Sequence, residues 1–334
     1  MANKQVDNII SLVVLVDKEK KRVIFAESDD DLVDTFFSFM TILVGTIIRL
    51  SSDKSAAKIG CINNLYKSVE NIDDKHFHSR AFKQMLQSPR NNAESHCSKL
   101  KLKIDQQTTR CGRLMDAEVS MTKGESKTPS FSDKDGDDLQ VMSMSTAASL
   151  SLVSKLGIMD WNGIEKNIFT LGVGEVLNLL VCSLVCKTPL TETLLKHKPA
   201  TALDTGNFVQ GKPVEYQMED KKNIRNGKIS IKLMVSKSKK KVCYAEAKKD
   251  FVNLLLSFLT IPLGHFLKQK CSSSLNGCID HLYKSVQDLD EQRLKSNYHK
   301  EMLVSPKLAS GIGYENDLLG IEEASHPPYY HAQY

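Results

Sequence analysis

The residues able to do chemistry in this chain are its eight cysteines and nine histidines, and their spacing decides what chemistry. A structural zinc site takes four nitrogen or sulfur ligands, usually as two closely spaced pairs. His96, Cys97 and Cys111 offer three at most, two of them adjacent and the third without a near partner. They are weak metal candidates, and the expectation is a surface histidine with ordinary thiols and no cofactor. Cys182 and Cys186 stand four apart in an apolar run with no histidine nearby. Free cysteine is commonly a small buried apolar residue, so core packing is expected of both. Cys278 and His281, three apart with Asp280 between them, have the spacing of a thiol and a base on one helix face, which nucleophilic catalysis requires.

Two further patterns could bind phosphate. Leu171-Gly172-Val173-Gly174-Glu175 opens an apolar run, and a helix N-terminus can hold an anion. The P-loop lysine is missing and no G-x-G-x-x-G is completed, while Glu175 would repel the ligand, so a tight turn is expected. Lys237, Lys239, Lys240 and Lys241 cluster at a turn, and Lys99, Lys101 and Lys103 alternate as on a strand. Such clusters meet phosphates. Without interleaved aromatic residues or a recognised module, and with one tryptophan, Trp161, they read as solvated charged segments. No nucleic-acid partner is expected.

The elements that carry these residues are written twice. VIFAESDDDLVDTFFSFMTILVG from Val23 returns as VCYAEAKKDFVNLLLSFLTIPLG from Val242, an offset of 219. GCINNLYKSV from Gly60 returns as GCIDHLYKSV from Gly277, and MLQSP from Met85 as MLVSP from Met302, both at an offset of 217. One slip of register is the mark of a repeated folding unit. The repeat weakens the Cys278–His281 reading, because the equivalents are Cys61 and Asn64. A cysteine present in both copies without its base suits a small buried residue.

Each copy opens with two strand-like runs around a charged turn, which predicts a β-hairpin. An apolar helix follows over residues 32–43 in the first copy, with a glycine, Gly45 or Gly264, as its stop. The next helix is amphipathic: Ile62, Leu65, Tyr66 and Val69, then Ile279, Leu282, Tyr283 and Val286, fall at i, i+3, i+4 and i+7. Lys67 and Lys284 point away from that stripe. Between the copies, residues 139–141 read as a strand, 147–156 and 175–186 as helices, and 169–195 faintly echo the main unit. Residues 196–227, rich in Pro, Gly, Asp and Lys, read as a linker. The segment after Pro306 reads as extended and poorly ordered.

At 334 residues with 41% hydrophobic and 25% charged composition, two domains with packed cores are expected. A net charge of +5 permits acidic partners without demanding them. No secretory signal is read at the start, so the cysteines are expected to be reduced and the protein intracellular, cytoplasmic or nuclear. Residues 35–48 and 251–267 are uncharged for 14 and 17 positions. A spanning helix needs roughly 17–25 apolar residues, and the second run contains Asn253, Pro262, Gly264 and His265. Buried helices are expected, with no transmembrane segment.

The repeated blocks, with DDLQVMSMSTAASLSLVSKLG and LGVGEVLNLLVCSLVCKTPLTETLL between them, resemble the plant family called domain of unknown function 674 over nearly the whole chain. The resemblance implies no activity, cofactor or catalytic residue. Members of that family often carry paired cysteines shortly before a Cys-x-Cys-Gly, a spacing suited to a zinc knuckle. Here SKLKLKID, residues 98–105, runs almost directly into Thr109-Arg110-Cys111-Gly112. The intervening pair is absent and Thr109 stands in place of a cysteine, so the resemblance implies a lost metal site.

Together these readings predict an α+β protein: a duplicated unit of a β-hairpin and two helices, with an α/β middle module. The divisions expected are 1–120 for the first unit, 121–195 for the middle module, 196–227 for the linker, 228–310 for the second unit and 311–334 for a flexible tail. The near-complete second copy predicts that residues 223–334 fold alone. The alternative is one pseudo-symmetric body with both hairpins in a shared sheet, which would protect their edges. The functional expectation is a non-catalytic protein-interaction or scaffold module with a protein partner. A small-ligand binder or enzyme with its site between the repeats, and peripheral membrane association, are the alternatives.

Overall fold

The computed structural model describes residues 9–52, 62–77, 80–97, 100–105, 129–131, 137, 139, 141–143, 161–196, 231–236, 241–269, 277–289, 297–309 and 321–324. The first hairpin is β1 (Ile10–Asp17) and β2 (Arg22–Glu27). Ile10, Leu12, Val14 and Val16 point inward from β1, the period-two pattern of a strand with one covered face. Its turn is closed by the Asp17 carboxylate, which accepts the Lys20 N–H at 2.9 Å. Lys21 takes the left-handed conformation there (φ 49°).

After α1 (Asp30–Ser38), the run expected to continue helical to residue 43 breaks. Residues Phe39–Thr41 form a 3-10 turn, Ile42 is extended, and α2 (Val44–Ser52) starts in a new direction. Gly45 therefore lies in the first turn of a helix and does not stop one. Helices α3 (Ile62–Asn71), α4 (Arg80–Gln87) and the single turn α5 (Glu94–Cys97) follow. The repeated unit thus carries more helices than the two expected, because one apolar run folds as two.

Strands β3 (Pro129–Phe131), β4 (Val141–Ser143) and β5 (Ile164–Leu171) come from the middle of the chain. They complete an antiparallel sheet in the order β4-β3-β2-β1-β5. The strand expected at residues 139–141 begins only at Val141; Leu139 is buried with a positive φ of 63°. The helix expected at 175–186 is α6 (Val173–Val185). The helix expected at 147–156 and the linker at 197–227 lie outside the described residues.

The second copy supplies β6 (Ile231–Ser236), β7 (Lys241–Ala247), α7 (Lys249–Ser257), a 3-10 turn Phe258–Thr260, α8 (Leu263–Gln269), α9 (Ile279–Asp288) and α10 (Asn297–Val304). Its hairpin has the register irregularity of the first at the equivalent place, between Met234 and Val235 as between Leu15 and Val16. Local bonds recur too. The Tyr66 hydroxyl donates to the Gln87 carbonyl and Tyr283 to that of Val304, both at 3.0 Å. The Lys83 ammonium donates to Ile72 O at 2.6 Å, and Lys300 to Leu289 O at 2.8 Å. The architecture is α+β.

The copies interlock about a local twofold axis. Leu43 and Pro262, which are equivalent positions, form an antiparallel bridge with each other. Around it the Val44 N–H donates to Ile261 O at 3.0 Å and the Leu263 N–H to Ile42 O at 2.9 Å. The long helices then cross over. Helix α9 packs on α1, and α3 packs on α7. Ile279, Leu282 and Val286 join a core with Leu12, Phe36 and Leu180. Tyr66, Val69 and Leu86 join another with Leu256 and Leu259. Among the described residues the hairpins lie in two separate sheets; the copies are joined by the Leu43–Pro262 bridge and by the crossed helices.

Part of the segment expected to form a flexible tail is held. Ile321 packs with Ile261 and Leu308. The Leu308 N–H donates to Glu322 O at 2.9 Å, the Ala324 N–H to Leu308 O at 2.8 Å, and Lys307 pairs with Glu322 at 2.9 Å.

Candidate functional site

The residues singled out for chemistry divide sharply by surroundings. Cys97 is largely buried beside Thr41, whose hydroxyl lies 3.7 Å from its sulfur, and burial pushes its thiol pKa up. The side chain of His96 and all of Cys111 lie outside the described residues. Among the described residues no group of three or more His, Cys, Asp or Glu side chains could hold a metal ion.

Cys278 is fully buried in the main core, and its N–H donates to Ser183 O at 2.8 Å. It ties the head of α9 to the end of α6. Tyr66 and Tyr283 are buried as well, while Cys61 lies outside the described residues.

Glu175 fills the anion seat considered at the head of α6. Its carboxylate accepts the Gly172 N–H at 3.0 Å, which is how a helix satisfies its own first donors. The strand expected at Lys99–Lys103 is instead an irregular segment over the described residues 100–105. Leu102 and Ile104 are buried on it, and Lys101 pairs with Asp29 and Asp31 at 3.9 and 3.2 Å. Lys237, Lys239 and Lys240 lie outside the described residues.

Cys182 and Cys186 have a setting that their sequence does not announce. Cys182 is fully buried in the last turn of α6. Cys186 caps that helix, half-buried, with its backbone already extended (φ −137°, ψ 164°). The chain turns through Thr188-Pro189-Leu190 into a π-helical turn, Thr191–Leu195, which returns polar groups to the thiols. The Thr193 hydroxyl donates to the Cys182 sulfur at 3.8 Å and accepts from the Asn178 amide at 3.1 Å. Thr191 accepts the Val23 N–H at 2.8 Å and gives its own N–H to both carboxylate oxygens of Asp137, at 3.0 and 3.1 Å. Glu192 is buried; one oxygen binds Lys196 at 2.6 Å, and Oε2 has no hydrogen-bond partner among the described residues.

The electrostatics of this nest follow from burial and short bonds. Desolvation pushes the Asp137 carboxyl up to about 8 against the pull of the Thr191 bonds, and Cys186 adds to the push. The Cys182 thiol donates to the Cys186 sulfur, which favours a thiolate on Cys186 and lowers its pKa; the Thr188 N–H helps. The same bond, with burial, raises Cys182. Asp137, Thr191 and Glu192 were not singled out from sequence. Asp137 lies in a polar stretch, residues 128–138, and the one available signal is an acid, Glu192, inside the run Pro189 to Leu195.

A pH dependence follows. A carboxyl whose folded pKa lies above its unfolded value contributes stability that is complete below the unfolded pKa and is lost as pH rises through the folded one. For Asp137 that window runs from the ordinary 3.8 up through about 8. The melting temperature is expected to fall between about pH 4 and pH 8 and to level off above, and Asp137→Asn to flatten that fall. Thermal melts of both proteins across the range check it; parallel curves would remove Asp137 from the account.

A second candidate is a surface. Ile231, Met234 and Val252 are 41, 40 and 43% exposed on the second hairpin and the helix after it. Their equivalents in the first copy include Leu12 at 0% and Val33 at 8%. The difference is cover: β5 pairs along the whole of β1 and β3 pairs with β2, whereas among the described residues β6 and β7 pair only with each other. Between the copies, the cavity lined by Thr41, Leu43, Arg90, Pro262 and Lys307 is about 10 Å³, the space of roughly one water.

A family model described as Protein of unknown function (DUF674) matches residues 6–111 and again residues 107–334. No curated protein and no solved structure matches the chain.

Proposed function

We propose that this chain, which belongs to the DUF674 family, is a non-catalytic protein-interaction module whose docking surface is the second hairpin. The observation that carries the reading is the contrast between two equivalent hairpins, one covered on its apolar face and at both edges, the other with no strand against either edge among the described residues. An unpaired strand edge is a template for another strand, and strand addition is a recurrent mode of peptide recognition. β5 on β1 serves as the internal template: an extended segment laid antiparallel along β6. Residues 231–250 contain seven lysines and two acidic residues, so the partner segment is acidic between its apolar positions.

For the small-ligand alternative, the cavity that described residues line between the copies has room for about one water. For the membrane alternative, the two long apolar runs are each broken by a 3-10 turn, and among the described residues no helix is long and apolar enough to cross a membrane.

The test is affinity purification with Met234→Lys/Val252→Lys beside the wild type and Ile168→Lys, a change at an exposed position elsewhere. The expected result is a set of partners retained by the wild type and by Ile168→Lys and reduced about tenfold by the double variant, a loss of about 1.4 kcal/mol. An unchanged set, or nothing above background for any of the three, would sink the reading.

A further inference from the structure

We propose that Cys182 and Cys186 are a redox-active dithiol, oxidised to an intramolecular disulfide by small disulfides of the glutathione class, with Cys186 attacking and Cys182 resolving. The geometry carries this. Residues one turn apart in an α-helix have Cα atoms about 6 Å apart, inside the 4.4–6.8 Å that a disulfide spans. The Cys186 N–H donates to the Cys182 carbonyl at 2.8 Å, which holds the two residues one turn apart. Cys186 sits on the cap, where its backbone has left the helix, so its sulfur can move toward Cys182 without unwinding α6.

Exposure divides the roles. Cys186 is half-buried and meets solvent, while Cys182 is fully buried and reachable from its neighbour alone. Thiolate character, which attack requires, is favoured on the same residue that is accessible. Among the other described cysteines, Cys97 has a threonine hydroxyl beside it and Cys278 lies wholly in the core. They serve as internal controls.

The chemistry balances. The Cys186 thiolate attacks one sulfur of the small disulfide; that S–S bond breaks, and the leaving thiolate takes the proton that Cys186 had released. Cys182 then attacks the Cys186 sulfur of the mixed disulfide. The new Cys182–Cys186 bond forms, and the second small thiolate leaves with the Cys182 proton. The protein loses two electrons and two protons, and one small disulfide becomes two thiols.

Trypsin releases both cysteines, and no others, in the peptide 167–187, between Lys166 and Lys187. Full-length protein equilibrated in graded oxidised and reduced glutathione is unfolded, alkylated and digested. The expected result is that this peptide loses both alkylation sites together and about 2 Da of mass, while the peptides of Cys97 and Cys278 stay alkylated. Cys182→Ser is expected to trap a glutathione adduct on Cys186 at least tenfold faster than Cys186→Ser does on Cys182. A doubly alkylated peptide in the most oxidising buffer, or equal adduct rates in the two variants, would overturn the proposal.

Discussion

Residues 223–334 expressed alone are expected to melt broadly, without a cooperative transition. The segment repeats the first copy almost completely, yet its helices do their burying elsewhere. Ile279, Leu282 and Val286 of α9 and Leu303 of α10 are buried against a core built on β1, α1 and α6. Each such side chain returned to water forfeits about 2 kcal/mol. Leu256 and Leu259 lose Tyr66, Val69 and Leu86 in the same cut. What remains is a two-stranded hairpin, marginal in water by itself, with apolar positions already exposed. Urea unfolding followed by circular dichroism checks this, and adding residues 1–196 in trans is expected to restore a cooperative transition. A sharp transition of the isolated fragment would instead mean that each copy is a self-sufficient unit, as its sequence alone suggests.

The second large effect is expected at three glycines, two where the copies meet and one where α9 meets α6. A Cβ on Gly264 would lie 2.6 Å from Leu303 O and 3.0 Å from Met40 O; on Gly45 it would lie 2.8 Å from Leu259 O and 3.2 Å from Leu86 O. These are equivalent contacts on the two sides of the local axis, and the obstacles are backbone atoms that cannot rotate away. Gly277 is tighter still, facing Ser183 O and the Leu184 carbonyl carbon. Gly277→Ala is expected to cost about 3 kcal/mol or more, and Gly264→Ala about 2–3 kcal/mol. In Gly264, within α8, the clash outweighs the roughly 1 kcal/mol that alanine gains in helix propensity. Gly163→Ala, which meets nothing within 4 Å, is the control and should stay within about 0.5 kcal/mol. Urea midpoints measure all of these. A Gly277→Ala protein as stable as wild type would show that the α6–α9 contact is not close in solution.

These glycines also show where reading the sequence goes astray. Gly45 and Gly264 follow long apolar runs, which is where a helix stop belongs. Their actual work is to let two backbones meet, and nothing local distinguishes the two uses. The break at Ile42 and Ile261 was illegible for a related reason. Both are apolar residues in an apolar run, and their extended backbones are stabilised by hydrogen bonds to the other copy, more than 200 positions away. The amphipathic helices, by contrast, were legible to within a residue or two, because Ile279, Leu282, Tyr283 and Val286 bury one stripe whichever surface receives it.

The thiol pair divides the same way. Four-residue spacing on an apolar helix announced burial, and Cys182 is buried. That Cys186 caps the helix beside Asp137, Thr191 and Glu192 depends on a turn returning polar groups across the fold. Asp137 lies more than 40 residues from Cys186 in the chain, and a lone acid in a polar stretch carries no signal that it will be desolvated.

What the chain dictates unaided is local: the hairpins, the amphipathic stripes, the twofold echo and the α+β class, since strand and helix periods are properties of neighbouring residues. Which copy each helix covers, which hairpin stays open and which thiol meets solvent were decided by tertiary packing alone. An apolar stripe specifies that it must be buried but not by what, and two nearly identical units offer each stripe two nearly identical hosts.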